Sequence, residues 1–166
     1  GMDILDVGGY SSRPGAKNIS VKEEQKRVIQ IIKYLRKEFK DLIISVDTFR
    51  AEIARKSIEN GADIINDISA GEIDEEIMNV VSEYNIPYVI MHMKGDPQTM
   101  QKNANYHDVC REIISYLAQR VKKAREYKIN DLIIDPGFGF GKTLQHNYEI
   151  LSNLHHFEMI DLPLLV

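Results

Sequence analysis

Residues 135–143, DPGFGFGKT, place a carboxylate directly before three closely spaced glycines and a lysine. A phosphate-binding P-loop has a glycine, four further residues and then Gly-Lys-Ser/Thr, so that successive backbone N–H groups surround a phosphate. Pro136 occupies the place of that first glycine and has no N–H to donate. Gly137, Gly139 and Gly141 also lack the G-x-G-x-x-G spacing of a dinucleotide-binding loop. The carboxylate and its glycines therefore need an explanation other than a nucleotide phosphate.

Other polar side chains follow short β-branched runs. Each of these runs is mostly continuous in its hydrophobicity, as expected for strands buried on both faces, and the runs lie at 3–7, 42–47, 62–67, 87–93, 132–135 and 162–166. The polar residues at or near their carboxyl ends are Asp6, Asp47, Asn66, Asp67, His92 and Asp135. Any one of them has an alternative role as a helix cap or turn residue, since Asp and Asn are common in both. That alternative explains the whole set less well.

Helical patterns separate the runs. Ser20 and Glu23 match a capping box, and an apolar stripe at helical spacing follows over 28–39. A second stripe covers 53–58, and a third pattern over 108–128 has an acidic start and a basic end that suit the helix dipole. This alternation predicts an α/β fold with a parallel sheet.

A parallel sheet belongs either to an open doubly wound fold or to a closed (β/α)8 barrel. An open sheet binds its ligand at one crevice, whereas a barrel builds its site after many strands. Polar groups after five successive strands favour the barrel. A complete barrel takes about 250 residues, and this chain has 166. We therefore predict a partial (β/α)8 TIM barrel of five to six parallel strands with outer helices. Residues 1–166 are expected to form a single domain truncated at both ends, with Gly1 a tag remnant.

The composition argues against several other classes of protein. A formal net charge of -4 gives no reason to expect a nucleic acid or an anionic membrane as a partner. A single cysteine, Cys110, excludes an intramolecular disulfide and suits a reducing compartment. No apolar run approaches the roughly 20 residues that span a bilayer, and no signal-peptide pattern opens the sequence. We expect a cytoplasmic protein.

Five motifs occur in order after successive predicted strands. They are DVGGYSSRPGA (6–16), SVDTF (45–49), NDIS (66–69), MHMKGDPQTMQ (91–101) and DPGFGFGKT (135–143). Together they resemble the dihydropteroate synthase family of pterin-binding barrels, and the resemblance covers essentially the whole chain. The pterin domains of methyltetrahydrofolate-dependent methyltransferases are a related alternative. Those domains are not expected to carry both the S-x-R-P-G loop and the T-M-Q segment.

The resemblance implies a transferase of folate biosynthesis that is a target of sulfonamides. It would condense 6-hydroxymethyl-7,8-dihydropterin diphosphate with p-aminobenzoate and release pyrophosphate. The implied course is early loss of pyrophosphate, assisted by Mg²⁺ bound with the substrate diphosphate, and then attack by the aniline nitrogen. Stabilising the separated charges would matter more than a protein base. No metal site built from protein ligands alone is expected, since Asp, Glu and His do not cluster at metal-site spacing.

The resemblance also implies a set of pterin-binding residues. A pterin presents two parallel N–H donors on its aminopyrimidinone edge, which suit the two oxygens of Asp135. Asp47 and Asn66 are implied to complete the hydrogen bonds, while Met91 and Phe140 line the pocket. The glycines after Asp135 are interpreted as letting the backbone pass close to the flat ring.

The loop GGYSSRPGA (8–16) is implied to serve the second substrate. By resemblance, Ser12 and Arg13 help to bind p-aminobenzoate near the departing pyrophosphate, and with Asp47 they form the implied catalytic set. Many members of the family have Glu where this chain has Tyr10, and Thr where it has Ser12. We expect these changes to affect only fine substrate or sulfonamide discrimination.

Two further polar residues receive no catalytic role. Lys142 is interpreted as a solvated loop charge. His92 lies near a strand end without an identified partner, and a single histidine in such a place is more often structural.

In the family's count, the chain runs from the second strand to the seventh. We therefore expect this chain to lack three motifs of the family. They are an Asn near magnesium on the first strand, a Ser-Arg-Lys after the seventh strand and an Arg-x-His on the eighth strand. We expect the 166-residue chain alone to bind pterin weakly at best and to be inactive. The alternative is a non-catalytic pterin-binding fragment. Exposed barrel edges are expected to make the chain self-associate as a homo-oligomer.

Overall fold

The structure is a computed structural model that describes residues 2–13, 15–95, 100 and 104–166. Its strands are β1 (Ile4–Gly8), β2 (Ile43–Asp47), β3 (Ile64–Asp67), β4 (Tyr88–Met91) and β5 (Leu132–Asp135). Its helices are α1 (Val21–Glu38), α2 (Ala51–Glu59), α3 (Glu76–Tyr84), α4 (Val109–Glu126) and α5 (Leu144–Ser152), followed by a 3-10 helix (Leu154–Ile160). Over the residues described, none of these helices is both long and apolar enough to cross a membrane.

Within the described residues, β1 to β5 form one parallel sheet in the order β1-β2-β3-β4-β5. The predicted strand at 162–166 does not form in full. This stretch makes a single isolated parallel bridge, between Leu164 and Ile134 of β5. Two backbone hydrogen bonds flank the bridge: Ile134 N–H donates to Pro163 and Leu165 N–H donates to Ile134, each at 2.9 Å. The last run therefore lies beside β5 without forming a full strand.

Over the described part of the chain, helices cover one face of the sheet and leave the other open. Strand residues such as Val46, Ile65 and Ile90 are buried in a core to which α1 to α5 all contribute. Strand residues that alternate with them, including Asn66 and Met91, line an open cleft instead. A doubly wound sheet would carry helices on both faces. One covered face and a sequential strand order confirm the predicted partial barrel with outer helices.

Local chemistry explains where the predicted helices begin. The Ser20 side chain accepts a hydrogen bond from Glu23 N–H at 3.2 Å and caps α1, whose Val28 is fully buried. Asp108 caps α4 in the same way. The sequence patterns do not predict α3 and α5, which are 9 residues long each. Such short helices give few turns from which to recognise a repeating apolar stripe.

Candidate active site

The open face of the sheet carries a cleft of about 450 Å³. Its lining includes four members of the predicted pterin set: Asn66, Met91, Asp135 and Phe140. Strand register explains how they meet, since Met91 lies beside Asp135 across β4 and β5. Asp47, the fifth member, lies beside Asn66 across β2 and β3. The parallel strands thus bring residues from distant motifs to one edge of the sheet.

Asn66 presents an unsatisfied acceptor at this cleft. Its Oδ1 is buried and has no hydrogen-bond partner among the described residues. Its Nδ2 donates to Asp6 Oδ2 over 3.4 Å, a long hydrogen bond. A buried acceptor without a donor costs about 1–3 kcal/mol. A ligand N–H at Oδ1 would remove that cost.

Asp47 is held in surroundings that disfavour its negative charge. Burial is the largest cause, followed by the charges of Asp6, Asp67 and Glu24, and together they raise its pKa from 3.8 to about 7. Such a carboxylate gains most from a ligand that donates hydrogen bonds or carries positive charge. Its environment therefore fits a binding role better than a structural one.

Asp135 is held by its own loop at the end of β5. Its Oδ1 accepts a hydrogen bond from Gly137 N–H at 2.6 Å. Burial raises the pKa of Asp135, while this N–H and the charge of Lys142 oppose the rise. Phe140, later in the same loop, packs against a buried apolar cluster of Phe49, Ile68, Met91, Met93 and Met100. The loop thereby brings a carboxylate and an aromatic ring to one cleft.

Gly137 is required by a contact inside the protein. Its φ is 71°, and a Cβ added there would lie 2.1 Å from the carbonyl oxygen of His92. No side chain fits at that distance, and this φ is strained for any residue with a Cβ. The close approach is therefore to the end of β4. This contact accounts for the glycine without a ligand, and the interpretation that the glycines let the backbone pass close to a flat ring stays a prediction.

Lys142 is buried, with 4 % exposure, so its interpretation as a solvated loop charge is wrong. Its ammonium donates to the carbonyl oxygens of Gly137, Phe140 and His92 at 2.8, 3.0 and 3.2 Å. It also lies 3.0 Å from His92 Nδ1. Burial, and then the charge of Lys142, lowers the pKa of His92 to about 3. The His92 ring is therefore a neutral partner of Lys142, in agreement with the structural role interpreted from the sequence.

Comparison with known proteins agrees with this geometry. Residues 1–166 match the family model for pterin binding enzymes. The chain belongs to the pterin-binding enzyme family. The dihydropteroate synthase of Synechocystis is 43% identical to it over 168 residues, which cover 100% of this chain and 58% of that relative.

Solved structures resemble this pterin-binding chain closely. A Yersinia pestis dihydropteroate synthase with a sulfonamide drug complex has a TM-score of 0.96 at 37% identity, covering 100% of this chain and 60% of that one. A Xanthomonas albilineans dihydropteroate synthase in complex with 7,8-dihydropteroate has a TM-score of 0.86 at 33% identity, covering 99% and 57%. The pterin-binding chain thus spans less than two thirds of the length of these relatives.

Ser12 and Arg13 belong to the loop after β1. Ser12 is half-buried and Arg13 is exposed, and neither is among the residues that line the cleft. The base of the loop is held, because the Tyr10 ring packs edge-on against Phe49 with 5.0 Å between centroids. The Arg50 guanidinium lies 5.3 Å from the centre of each ring. The assignment of Ser12 and Arg13 to p-aminobenzoate therefore stays a prediction.

The fourth motif is described only in part. Thr99 and Gln101 of its T-M-Q segment lie outside the described residues. Met100 between them is buried in the apolar cluster against which Phe140 packs. The segment thus contributes one described side chain to the apolar cluster that Phe140 contacts beside the cleft.

Sequence reasoning missed two groups beside the predicted pterin residues. Asp6 was in the strand-end polar set without a site role, yet it lines the cleft and contacts Asn66. Glu24 of α1 is fully buried, where it binds Arg50 at 2.7 Å and accepts from Thr48 Oγ1 at 2.8 Å. No sequence signal distinguishes Glu24 from any other acidic residue in the first turn of a helix.

Proposed function

We propose that this chain supplies the pterin-binding part of a dihydropteroate synthase, a transferase of folate biosynthesis. The enzyme would join 6-hydroxymethyl-7,8-dihydropterin diphosphate to p-aminobenzoate and release pyrophosphate. The observation that carries the proposal is the buried Asn66 Oδ1, which has no partner among the described residues and belongs to the same cleft as Asp135. Acceptors placed around an apolar cleft suit the N–H donors of a flat heterocycle. The family and its dihydropteroate synthase relatives support this reading.

The apolar part of the cleft suits a flat ring. Met91, Phe138 and Phe140 border it, and thioether and aromatic side chains both make favourable contacts with aromatic ligands. Its volume of about 450 Å³ lies within the range of small-molecule sites. Asp47, Asn66 and Asp135 would bind the polar edge while these side chains hold the faces.

The proposed reaction builds positive charge on the pterin. Cleavage of the C–O bond sends the electron pair to pyrophosphate and leaves a cationic methylene. The aniline nitrogen then forms the new C–N bond and loses a proton to solvent. Asp6, Asp47 and Asp135 lie at this end of the sheet, and carboxylates there favour the developing positive charge. His92 is poorly suited as a base, since its pKa is lowered to about 3.

Magnesium would be held chiefly by the diphosphate of the substrate, since Mg²⁺ commonly binds through substrate phosphates and only one or two carboxylates. In the described part of the chain, no three His, Cys, Asp or Glu side chains lie close enough together to hold a metal ion. Asp6, the carboxylate beside Asn66, shares a hydrogen bond with that amide. We propose Mg²⁺ as a partner of the substrate diphosphate and assign no protein ligand to it.

The second substrate is proposed to bind at the loop after β1. The guanidinium of Arg13 can pair with the carboxylate of p-aminobenzoate, and Ser12 can donate a hydrogen bond beside it. Both residues would have to approach the cleft. A sulfonamide would compete for this position, as the sulfonamide drug complex of the Yersinia pestis relative suggests. We place the activity in the cytoplasm, since the single Cys110 is a buried free thiol.

Calorimetric titration with pterin-6-carboxylic acid tests the proposal. The wild-type chain should bind it, and Asp135→Asn should weaken binding about 10- to 100-fold, because hydrogen bonds to a charged group contribute roughly 1.5–3 kcal/mol. Asp131→Asn removes an exposed carboxylate at the start of β5 and is the matched control, with unchanged affinity expected. A wild-type chain that shows no binding at millimolar ligand, or an Asp135→Asn variant that binds equally well, would refute the proposed function.

The non-catalytic alternative needs a turnover assay. The chain spans about 60% of its relatives, for example 58% of the Synechocystis enzyme. Loss of one electrostatic contact to a transition state can slow a reaction about 100- to 1000-fold. We expect pterin binding without measurable dihydropteroate formation when the diphosphate, p-aminobenzoate and Mg²⁺ are supplied. Robust turnover would show that these residues suffice for catalysis.

A further inference from the structure

Lys142 joins two loops at the end of the sheet. Of its contacts, Gly137 and Phe140 belong to the loop after β5, whereas the carbonyl oxygen and Nδ1 of His92 belong to the end of β4. The ammonium has three N–H donors and no acceptor, and these four partners surround it. One buried cation therefore connects the β4 end to the loop that follows Asp135.

We propose that Lys142, with His92 as its partner, is a positioning residue that holds the β5–α5 loop so that Asp135 and Phe140 face the pterin. This inference rests on the proposed function for the identity of the ligand. The role of Lys142 in holding the loop is independent of the proposed function, because it can be measured without any ligand.

The hydrogen bonds form a continuous path from Lys142 to Asp135. Lys142 donates to the carbonyl oxygen of Gly137, and the backbone N–H of Gly137 donates to Asp135 Oδ1 at 2.6 Å. Phe140 N–H in turn donates to the carbonyl of Gly137 at 3.1 Å. Movement of Gly137 would therefore change the orientation of Asp135 and the place of the Phe140 ring together.

The site needs the hydrogen-bond donors of Lys142. Without them, the buried carbonyl oxygens of Gly137 and His92 would lose their lysine donor, and such groups strongly favour a partner. Burial lowers the pKa of Lys142 to about 7, and the negative charge of Asp135 opposes that change. The lysine thus stays close to Asp135 without an ion-pair contact that would compete with the ligand.

Lys142→Met tests the inference, because methionine keeps much of the length and removes every donor. In the ligand-free chain, the amide hydrogens of Gly137 and Phe140 should exchange at least about 10-fold faster, since each depends on the loop geometry. Exchange in β2 should be unchanged. Lys94→Met is the matched control, because Lys94 lies at the same end of the sheet and contacts Asn105 and Glu112 instead.

Pterin affinity gives the second readout. Lys142→Met should weaken pterin-6-carboxylic acid binding about 10-fold, and the double variant with Asp135→Asn should bind no more weakly than Asp135→Asn alone, since both act through one carboxylate. Lys142→Arg, which retains donors, should recover part of the affinity. If Lys142→Met does not fold, Lys142→Gln replaces it in both measurements; its shorter side chain and two N–H donors cannot serve all four partners, so the same changes are expected at smaller size.

The outcomes separate the inference from the proposed function. Unchanged exchange at Gly137 and Phe140, or additive losses in the double variant, would overturn the positioning role. Faster exchange in a protein whose wild type binds no pterin would support the loop role of Lys142 and refute the proposed function. Faster exchange with coupled loss of affinity would support both.

Discussion

Replacing Asp47 by asparagine is expected to stabilise the chain at about pH 8 and to leave its stability near pH 4 almost unchanged. The amide has nearly the shape of the carboxyl group and carries no charge at either pH. The ionised carboxylate is disfavoured first by burial and then by the charges of Asp6, Asp67 and Glu24, which raise its pKa from 3.8 to about 7. The substitution removes that unfavourable charge.

The sign and the size follow from the two pKa values of Asp47. Because the folded value exceeds the unfolded one, the folded chain binds the proton more tightly. The contribution of Asp47 to stability is therefore complete below about pH 4 and is lost as the pH rises to about 7. At about 1.4 kcal/mol for each tenfold difference in proton affinity, the rise from 3.8 to about 7 corresponds to at most about 4 kcal/mol. The variant should gain up to this amount above pH 7.

Urea unfolding at a series of pH values measures the effect directly. The quantity to plot is the free energy of unfolding of Asp47→Asn minus that of the wild type, because titrating groups that do not interact with Asp47 cancel in the difference. It should rise between about pH 4 and pH 7 and then level off. Asp131→Asn, an exposed carboxylate at the start of β5, is the control and should give a flat line.

A flat difference for Asp47→Asn as well would refute the reasoning. It would mean that burial and the charges of Asp6, Asp67 and Glu24 do not act on Asp47 as the structure indicates. A gain in stability accompanied by weaker pterin binding would instead show that the charge is retained for function at a cost in stability, as is common at binding sites.

Three further predictions concern other parts of the molecule. Gly137→Ala should destabilise the chain by more than about 2 kcal/mol, since the new methyl would lie 2.1 Å from the His92 carbonyl oxygen. Gly139→Ala, which has a similar φ of 81° and a Cβ position with no described atom within 4 Å, should cost only about 1 kcal/mol in the same denaturation experiment. Asp67→Ala should cost roughly 3 kcal/mol or more, because it removes a buried acceptor of the Tyr88 hydroxyl, and thermal unfolding that matched the wild type would contradict this. Light scattering should give a mass above the 19.1 kDa of one chain, since sheet edges and an apolar concave face favour association; a monodisperse monomer at high concentration would count against it.

Much of the candidate site could be predicted from the sequence, because its polar residues stand where apolar runs end. Parallel strands of a barrel all end at one rim, so Asn66 and Asp135 could be assigned to one cleft before any distance was known. Met91 and Phe140 followed from the family motifs, and the structure places both at that cleft. The roles of these residues toward a ligand stay predictions.

The prediction that failed, a solvated charge for Lys142, depends on surroundings that no local pattern encodes. Lys142 follows three glycines in a loop, and a lysine in such a place is usually solvated. Its burial arises because the end of β4 lies over it, which the sequence near Lys142 does not reveal. Gly137 is explained by the same neighbour, His92, which is distant in the chain. Ser12 and Arg13 are not among the residues that line the cleft, and their role toward p-aminobenzoate stays a prediction.

The sequence by itself determined the order of the strands, three of the five described α-helices, the parallel sheet and the family, because apolar periodicity, helix caps and motif spacing are properties of neighbouring residues. The tertiary structure alone decided which polar groups are satisfied and which are not. Asn66 Oδ1 lacks a donor among the described residues, and Asp47 has a raised pKa. Both properties depend on side chains that the fold brings together from different strands and helices. Burial and electrostatic fields arise from packing between distant segments, and these are the properties that turn a row of strand-end residues into a binding site.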